Sequence, residues 1–385
     1  MVQRELLFIL GTRPEAVKCS PVILACRRDA RFAVRVLTTS QHRELQDEVL
    51  DEFGVDADHD LDLMRETSDL ARLIGDAWAG LCRYFDGHAP DMVLVQGDTS
   101  TAFIAALAAQ YHQIPVAHIE AGLRTHDKTM PFPEEINRRL ISPIADLHFA
   151  PTLQAKENLL RENIASNQIV VVGNPSIDAL LHILDQQKDR RLQDRFPQLD
   201  PEKPLLLATC HRRENWGEPI RNICKALRGI ARENPNYQIL FLTHPNPEAS
   251  RAIENIAEGV PQIILHKSVI YSDMALLLNA ARLILTDSGG LQEEAPVLGK
   301  PVVVLREKTE RWEGIESQSA ILAGINPERI LAVVQSLLHD ESFYRKYAQK
   351  RSPYGDGRAA ERIHQALAHY FGLGETPQEF HPALT

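Results

Sequence analysis

The chain has 385 residues, 44% hydrophobic and 24% charged, with a net charge of −10, the make-up of an ordinary globular protein of two or three domains. The acidic balance argues against a general binder of nucleic acid or membrane surfaces, while leaving room for a local basic pocket. No apolar run approaches the ~18 residues of a membrane span, and five cysteines without C-x-x-C spacing read as free thiols of a reducing cytoplasm.

From the N-terminus, MVQRELLFILG reads as a first strand (5–10) rather than a secretory h-region. Further strands are expected at 33–39, 92–97, 116–121, 147–150 and 169–173. After residue 200 they are expected at 205–210, 238–243, 262–267, 283–287 and 301–306. Most are apolar at consecutive positions, the pattern of parallel strands covered on both faces. Helical stretches such as 99–112, 217–234 and 327–340 lie between them, so an α/β architecture with right-handed crossovers is expected. The polar, proline-bearing stretch 185–203 reads as an inter-domain segment. It separates two Rossmann-like domains, 1–184 and 204–355. The last helix, within 356–385, can pack back on the first.

In an open parallel sheet, ligands bind beyond the C-terminal strand ends. There Arg13, Glu15 and Lys18 follow the first strand, Asp98 follows 92–97, and Glu120 precedes Arg124. The loop MPFPEEINRR carries Glu134, Glu135, Arg138 and Arg139. In the second half His211 follows LLLATC, His244 follows QILFLT, Ser288-Gly289-Gly290 follow LILTD, and Arg311 follows PVVVLR. Each also has a plain structural reading. Asp98 could cap a helix, Glu120 could pair with Arg124, and Pro133-Glu134-Glu135 could open a helix. The S-G-G run could be a tight turn, and His211 a hydrogen-bonded surface histidine. Their concentration on one edge of both halves favours a site.

Arg13, Lys18, His211, Arg311 and the S-G-G amides would supply positive potential for a diphosphate. Asp98, Glu120 and Glu134 would supply proton transfer, because gathered carboxylates shift one another's pKa values. No G-x-x-x-x-G-K-[ST] occurs, and no G-x-G-x-x-G follows the first strand, which weakens phosphoryl transfer and dinucleotide redox chemistry. No convincing metal cluster is evident: His42, Asp58 and His59 are the nearest set and read as a surface loop.

GTRPEAVK, QGDTSTAF, HIEAGLRT, PFPEEINR, HRREN, TDSGGLQEEAP and GKPVVVLREKTER occur in this order between residues 11 and 311. Together they resemble the motifs of the bacterial non-hydrolysing UDP-N-acetylglucosamine 2-epimerases, and YGDG at 354–357 adds a C-terminal match. The resemblance implies two Rossmann-like domains of the glycosyltransferase-B type with a nucleotide-binding cleft between them. It implies interconversion of UDP-N-acetylglucosamine (UDP-GlcNAc) and UDP-N-acetylmannosamine (UDP-ManNAc). The route is elimination of UDP to a 2-acetamidoglucal and re-addition, with no metal or nicotinamide cofactor. A cytoplasmic homodimer supplying cell-surface polysaccharide synthesis is the implied setting.

Carried over by motif, Asp98, Glu120 and Glu134 are the acids of proton transfer, and His211 lies at the diphosphate with a share in acid–base work. Arg13 and Lys18 fall near the phosphates, Ser288, Gly289 and Gly290 form the diphosphate loop, and Arg311 is a later phosphate contact. Glu294 accepts from the ribose hydroxyls. A diphosphate beside a ribose would explain glycine amides and a carboxylate side by side. Met274 stands in the uracil segment, where an aromatic residue is frequent. Gln41 and His244 fall to a pocket in which a second substrate molecule activates bacterial members, whereas Thr67 stands where an arginine is expected. Three other readings stay open: a UDP-sugar glycosyltransferase on the same fold, a hydrolysing relative releasing ManNAc and UDP, and a non-catalytic sugar-nucleotide sensor.

Overall fold

A computed structural model of the chain describes residues 3–39, 43–63, 70–243, 253, 256–350 and 352–382. They form two compact units. The first runs to His182 and takes in Tyr354–Pro382, and the second is Ile183–Pro353.

In the first unit the elements are β1 (Arg4–Leu10), α1 (Arg13–Arg27), β2 (Phe32–Thr38), α2 (Arg43–Phe53), β3 (His59–Asp60), α3 (Leu70–Gly87), β4 (Met92–Gln96) and α4 (Ser100–Tyr111). They continue with β5 (Val116–Ile119), α5 (Glu134–Ile141), β6 (Leu147–Ala150), α6 (Leu153–Arg161), β7 (Ile169–Val171) and α7 (Pro175–Gln186). The seven strands pair in the order β3-β2-β1-β4-β5-β6-β7, all in parallel. β4 to β6 are buried along their whole length, which is why their sequences run apolar rather than alternating. The alanines of α4 are all buried, and small side chains let this helix lie close to its neighbours.

In the second unit come α8 (Leu192–Arg195), β8 (Leu205–Thr209), α9 (Glu218–Glu233), β9 (Gln238–Thr243), β10 (Ile263–Lys267), α10 (Tyr271–Ala280), β11 (Ala281–Thr286) and α11 (Gly289–Glu294). β12 (Val302–Val304), α12 (Trp312–Glu316), β13 (Ala320–Leu322), α13 (Pro327–His339) and α14 (Glu341–Tyr347) follow. Six strands pair in the order β10-β9-β8-β11-β12-β13, again in parallel. Both sheets therefore reverse direction of growth between their first and fourth strands, β1/β4 and β8/β11. These are the switch points where open α/β sheets bind ligands. Every strand expected from the sequence is present. β3 and β13 are additional, and at two and three residues they are too short to carry a periodicity.

The stretch 185–203 differs from the inter-domain reading: it belongs to the second unit. Of its few apolar residues Phe196 and Leu199 are buried and Leu192 is half-buried. Arg195 grips Asp273 of α10 with Nε and Nη2 at 2.8 and 2.7 Å. Polar composition here reflects an exposed outer surface on a docked segment. The C-terminal helix α15 (Ala359–Tyr370) lies in the first unit. Buried Asp178 caps it, accepting from the N–H groups of Ala359 at 3.2 Å and Ala360 at 2.8 Å. Gly357 of the YGDG run has φ +78°, and a Cβ there would come within 2.5 Å of Leu181, so the segment lies flush only with glycine.

His118 of β5 and His148 of β6 are register partners and fully buried. His118 Nε2 donates to the carbonyl of Gly97 at 2.7 Å. Burial, with His148, Arg124 and Arg138 nearby, lowers His118 to about 3; burial and Arg124 lower His148 to about 4. Both folded-state values lie below the ordinary 6.5, so the unfolded chain binds more protons below that pH and stability falls with acid. Each ring should cost about 2 kcal/mol at pH ~5. Urea titrations should show His148→Asn removing one ring's share of that loss.

Candidate active site

The first unit gathers the sequence-predicted acids at the C-terminal ends of β4 and β5 and at the start of α5. Thr99, not Asp98, caps α4, accepting from Ala102 N–H at 2.9 Å. The Asp98 carboxylate instead pairs with the buried Arg138 guanidinium. Asn137 Nδ2 donates to the Asp98 carbonyl at 2.9 Å, so α5 fixes both main chain and side chain of Asp98.

Glu120 adopts φ +64°, a left-handed conformation rare for a residue with a side chain and frequent at functional sites. Its Oε1 meets Lys18 Nζ at 2.5 Å and its Oε2 accepts from Gln96 Nε2. Arg124, the other conceivable partner, is committed elsewhere. It grips Glu162 at 2.8 and 2.7 Å and Ser142 at 2.7 Å. Glu134 is the first residue of α5, and its Oε2 is buried with no hydrogen-bond partner among the described residues. Its neighbour Glu135 is fully buried, accepting from Thr125 N–H at 3.0 Å and His126 N–H at 3.1 Å. Arg13 opens α1.

In the second unit, His211 and Ser288-Gly289-Gly290 follow the adjacent strands β8 and β11. Ser288 is the N-cap residue of α11. A Cβ at Gly289 would lie 3.3 Å from the Arg311 guanidinium carbon and 3.5 Å from Arg212 Nη2, so both arginines close tightly on this turn. The arginines are themselves held by acids. Arg311 reaches Glu293 and Glu310 at 2.8 Å each, Arg212 reaches Glu310 at 3.3 Å, and Arg306 reaches Glu214 and Glu310 at 2.7 Å each. Burial alone would raise Glu310, but Arg311, Arg306 and Arg212 together outweigh it and hold it at about 2. Burial lowers Arg212. Glu294 is buried, with Tyr271 Oη donating to its Oε1 at 3.4 Å. Met274 is half-buried in the first turns of α10. Gln41, Thr67 and His244 lie outside the described residues. Among the described residues no group of three or more His, Cys, Asp or Glu is placed to hold a metal ion, and no helix is long and apolar enough to cross a membrane.

The profile of the family described as UDP-N-acetylglucosamine 2-epimerase matches residues 24–368. The UDP-N-acetylglucosamine 2-epimerase of Bacillus subtilis is 43% identical over 385 residues, 99% of each chain. The solved structure of UDP-GlcNAc 2-epimerase from Neisseria meningitidis bound to UDP-GlcNAc is similar at a TM-score of 0.90 and 40% identity, covering 95% of this chain and 100% of that one. The Methanocaldococcus jannaschii enzyme in complex with UDP-GlcNAc and UDP is similar at 0.81 and 33%, covering 95% and 99%. The chain belongs to the UDP-N-acetylglucosamine 2-epimerase family. As a UDP-GlcNAc 2-epimerase it is an isomerase, with the two-domain α/β architecture of the glycosyltransferase-B type.

Residue types in this epimerase mark the acids, with Lys18 and Arg138 as nearby cations, but not that these cations and Gln96 aim the acids. Gln96 and Arg138 hold Glu120 and Asp98, and neither residue type signals a site alone. Glu15, visible only as one charge of GTRPEAVK, is fully buried. It accepts from Gly11 N–H at 3.0 Å and from the Thr12 and Thr99 hydroxyls at 2.7 Å each. It thereby ties the loop after β1 to the turn carrying Asp98. Burial raises its pKa from 4.5 to about 7, against the pull of Thr99, Thr12 and Gly11. The folded epimerase therefore binds this proton more tightly than the unfolded chain does. Its penalty is absent at low pH and grows as pH rises from 4.5 through about 7. Between pH ~5 and ~7 that amounts to about 2 kcal/mol, opposite in sign to the histidine pair. Glu15→Gln should accordingly steepen the loss of stability on acidification by about 2 kcal/mol over that range. An unchanged slope in urea titrations at several pH values would mean that Glu15 stays ionised in the fold.

Proposed function

We propose that the chain interconverts UDP-GlcNAc and UDP-ManNAc by eliminating and re-adding UDP, its first unit moving protons and its second holding the nucleotide. The observation that carries this reading is the way the acids of the first unit are held. Glu120 has a donor on each oxygen and a strained backbone, Asp98 is clamped by Arg138, and Glu134 has a buried oxygen with no described partner. A glycosyltransferase needs diphosphate stabilisation and one base, not three positioned acids. The N. meningitidis and M. jannaschii relatives are described with UDP-GlcNAc, the latter also with UDP, and we extend both ligands to this chain.

In the forward direction a carboxylate takes the C2 proton. The C–H electron pair forms the C1–C2 double bond, and the bond from C1 to the UDP oxygen breaks with its pair going to the diphosphate. UDP then adds back at C1 while a protonated acid delivers a proton to the opposite face of C2. Asp98, Glu120 and Glu134 supply these groups, with His211 at the diphosphate side. Arg13, Lys18 and Arg311 offset phosphate charge, Ser288, Gly289 and Gly290 offer hydroxyl and amide donors, Met274 packs at the base, and Glu294 takes the ribose hydroxyls. Gln41 and His244 are assigned to an activating pocket. The same reading carries a cytoplasmic homodimer working without metal or nicotinamide.

Incubation with UDP-GlcNAc alone in D₂O tests the chemistry. Deuterium should enter C2 of both sugar nucleotides, and Asp98→Asn should slow this by about 10²- to 10⁴-fold. Absence of exchange sinks the reading, and accumulation of free ManNAc with UDP identifies a hydrolysing enzyme instead. Glu294→Gln should weaken UDP binding about tenfold through lost charge-assisted hydrogen bonds, yet leave C2 exchange at saturating substrate nearly unchanged. An equal loss of both would misplace Glu294.

A further inference from the structure

Asp287 follows β11 at the switch point of the second sheet and is fully buried. Its Oδ1 accepts from His211 N–H at 3.1 Å and lies 3.2 Å from the ring Nδ1 of the same residue. Its Oδ2 accepts from the N–H groups of His211 and Arg212 at 3.0 Å each, and from Asn215 Nδ2 at 2.9 Å. Asn215 also donates to the carbonyl of Leu305 at 3.1 Å, and Arg212 Nε donates to the carbonyl of Asp287 at 3.0 Å. A carboxylate enclosed by so many donors has one orientation. The His211 ring, by contrast, has 46% of its side-chain surface exposed.

A neutral imidazole carries one ring proton, and a carboxylate beside Nδ1 keeps it there. Nε2, on the far side of the ring, is then the nitrogen with a lone pair for a proton acceptor's role. We infer that Asp287 is a positioning residue of the epimerisation. It holds the His211 ring in the Nδ1–H form and in one direction, so that Nε2 is the nitrogen that gains a proton and, once protonated, presents its N–H to the diphosphate side of the reaction. The inference rests on the role given to His211 above. Asp287 itself lies under the loop it holds and acts only through it.

The test uses the full-length protein with ¹⁵N-labelled histidine and two-bond ¹H–¹⁵N spectra, the His211 signals being those lost in His211→Asn. Neutral His211 should show Nδ1 protonated. Asp287→Asn should shift it toward Nε2–H and slow C2 exchange by about 10²- to 10⁴-fold. In the His211→Asn background the same change should add almost nothing, because the two act as a unit. A wild-type ring protonated on Nε2 when neutral overturns the inference without any variant having to fold. Losses that multiply in the double variant overturn it too, since Asp287 would then act by folding alone. If His211→Asn turns over at the wild-type rate, the underlying reading of His211 fails whatever the tautomer, so the two failures are told apart.

Discussion

A single buried carboxylate spans the switch point of each sheet, and the arrangement of the functional loops depends on it. Where neighbouring parallel strands send their chains to opposite faces, the backbone N–H groups of the departing turns lose their ladder partners. Leaving one such group buried and unpaired costs about 1–3 kcal/mol. Glu15 meets this need between β1 and β4, binding Gly11 N–H and reaching across to Thr99. Asp287 meets it between β8 and β11, binding the N–H groups of His211 and Arg212. In each unit a carboxylate that follows one of these strands thereby fixes the turn that follows the other. The ionised form of Glu15 is costly, as its pKa near 7 records; its three donors are what keep a fully buried carboxyl tolerable there.

Charge at both sets of loops is balanced before any ligand enters. Lys18 and Arg138 look, by residue type, like anion receptors, yet they pair with Glu120 and Asp98. Their first role is to orient acids. Arg212, Arg306 and Arg311 are likewise laced to Glu214, Glu293 and Glu310. Guanidinium groups fixed in this way keep their planar forks oriented, so an incoming anion meets donors that need little reorganisation. A protein of net charge −10 can in this manner present local cationic surface without exposing an unbalanced basic patch.

The strands were legible in the sequence because burial on both faces writes itself as consecutive apolar residues, as in LLLAT of β8. The edge strands β3 and β13 were not, being too short for any pattern. The polar stretch 185–203 misled for a physical reason. Two buried side chains, Phe196 and Leu199, and one bidentate Arg195–Asp273 pair suffice to dock it, and composition averages such sparse anchors away. Candidate site residues are visible as types at strand ends. Their partners are not, because pairing is decided by which loops adjoin. The sequence suggests Arg124 for Glu120, four residues away, whereas the fold supplies Lys18 from 102 residues away and spends Arg124 on Glu162.

Neighbouring residues of like chemistry turn out to divide their labour. Thr99 caps α4 and reaches Glu15, which leaves the Asp98 side chain to turn toward α5. Glu135 satisfies the backbone at Thr125 and His126, which leaves Glu134 at the helix start with a buried oxygen for other use. Glu293 secures Arg311, while Glu294 faces Tyr271 on another side of α11. For the two pairs on helices the division follows from geometry: successive positions diverge by about 100°, so Glu134 and Glu135, and Glu293 and Glu294, face different surroundings. This is also why carboxylates can stand directly behind the glycine amides of Gly289 and Gly290 without opposing an anion there. Glu293 is neutralised by Arg311, and Glu294, the next residue along α11, turns to Tyr271 instead.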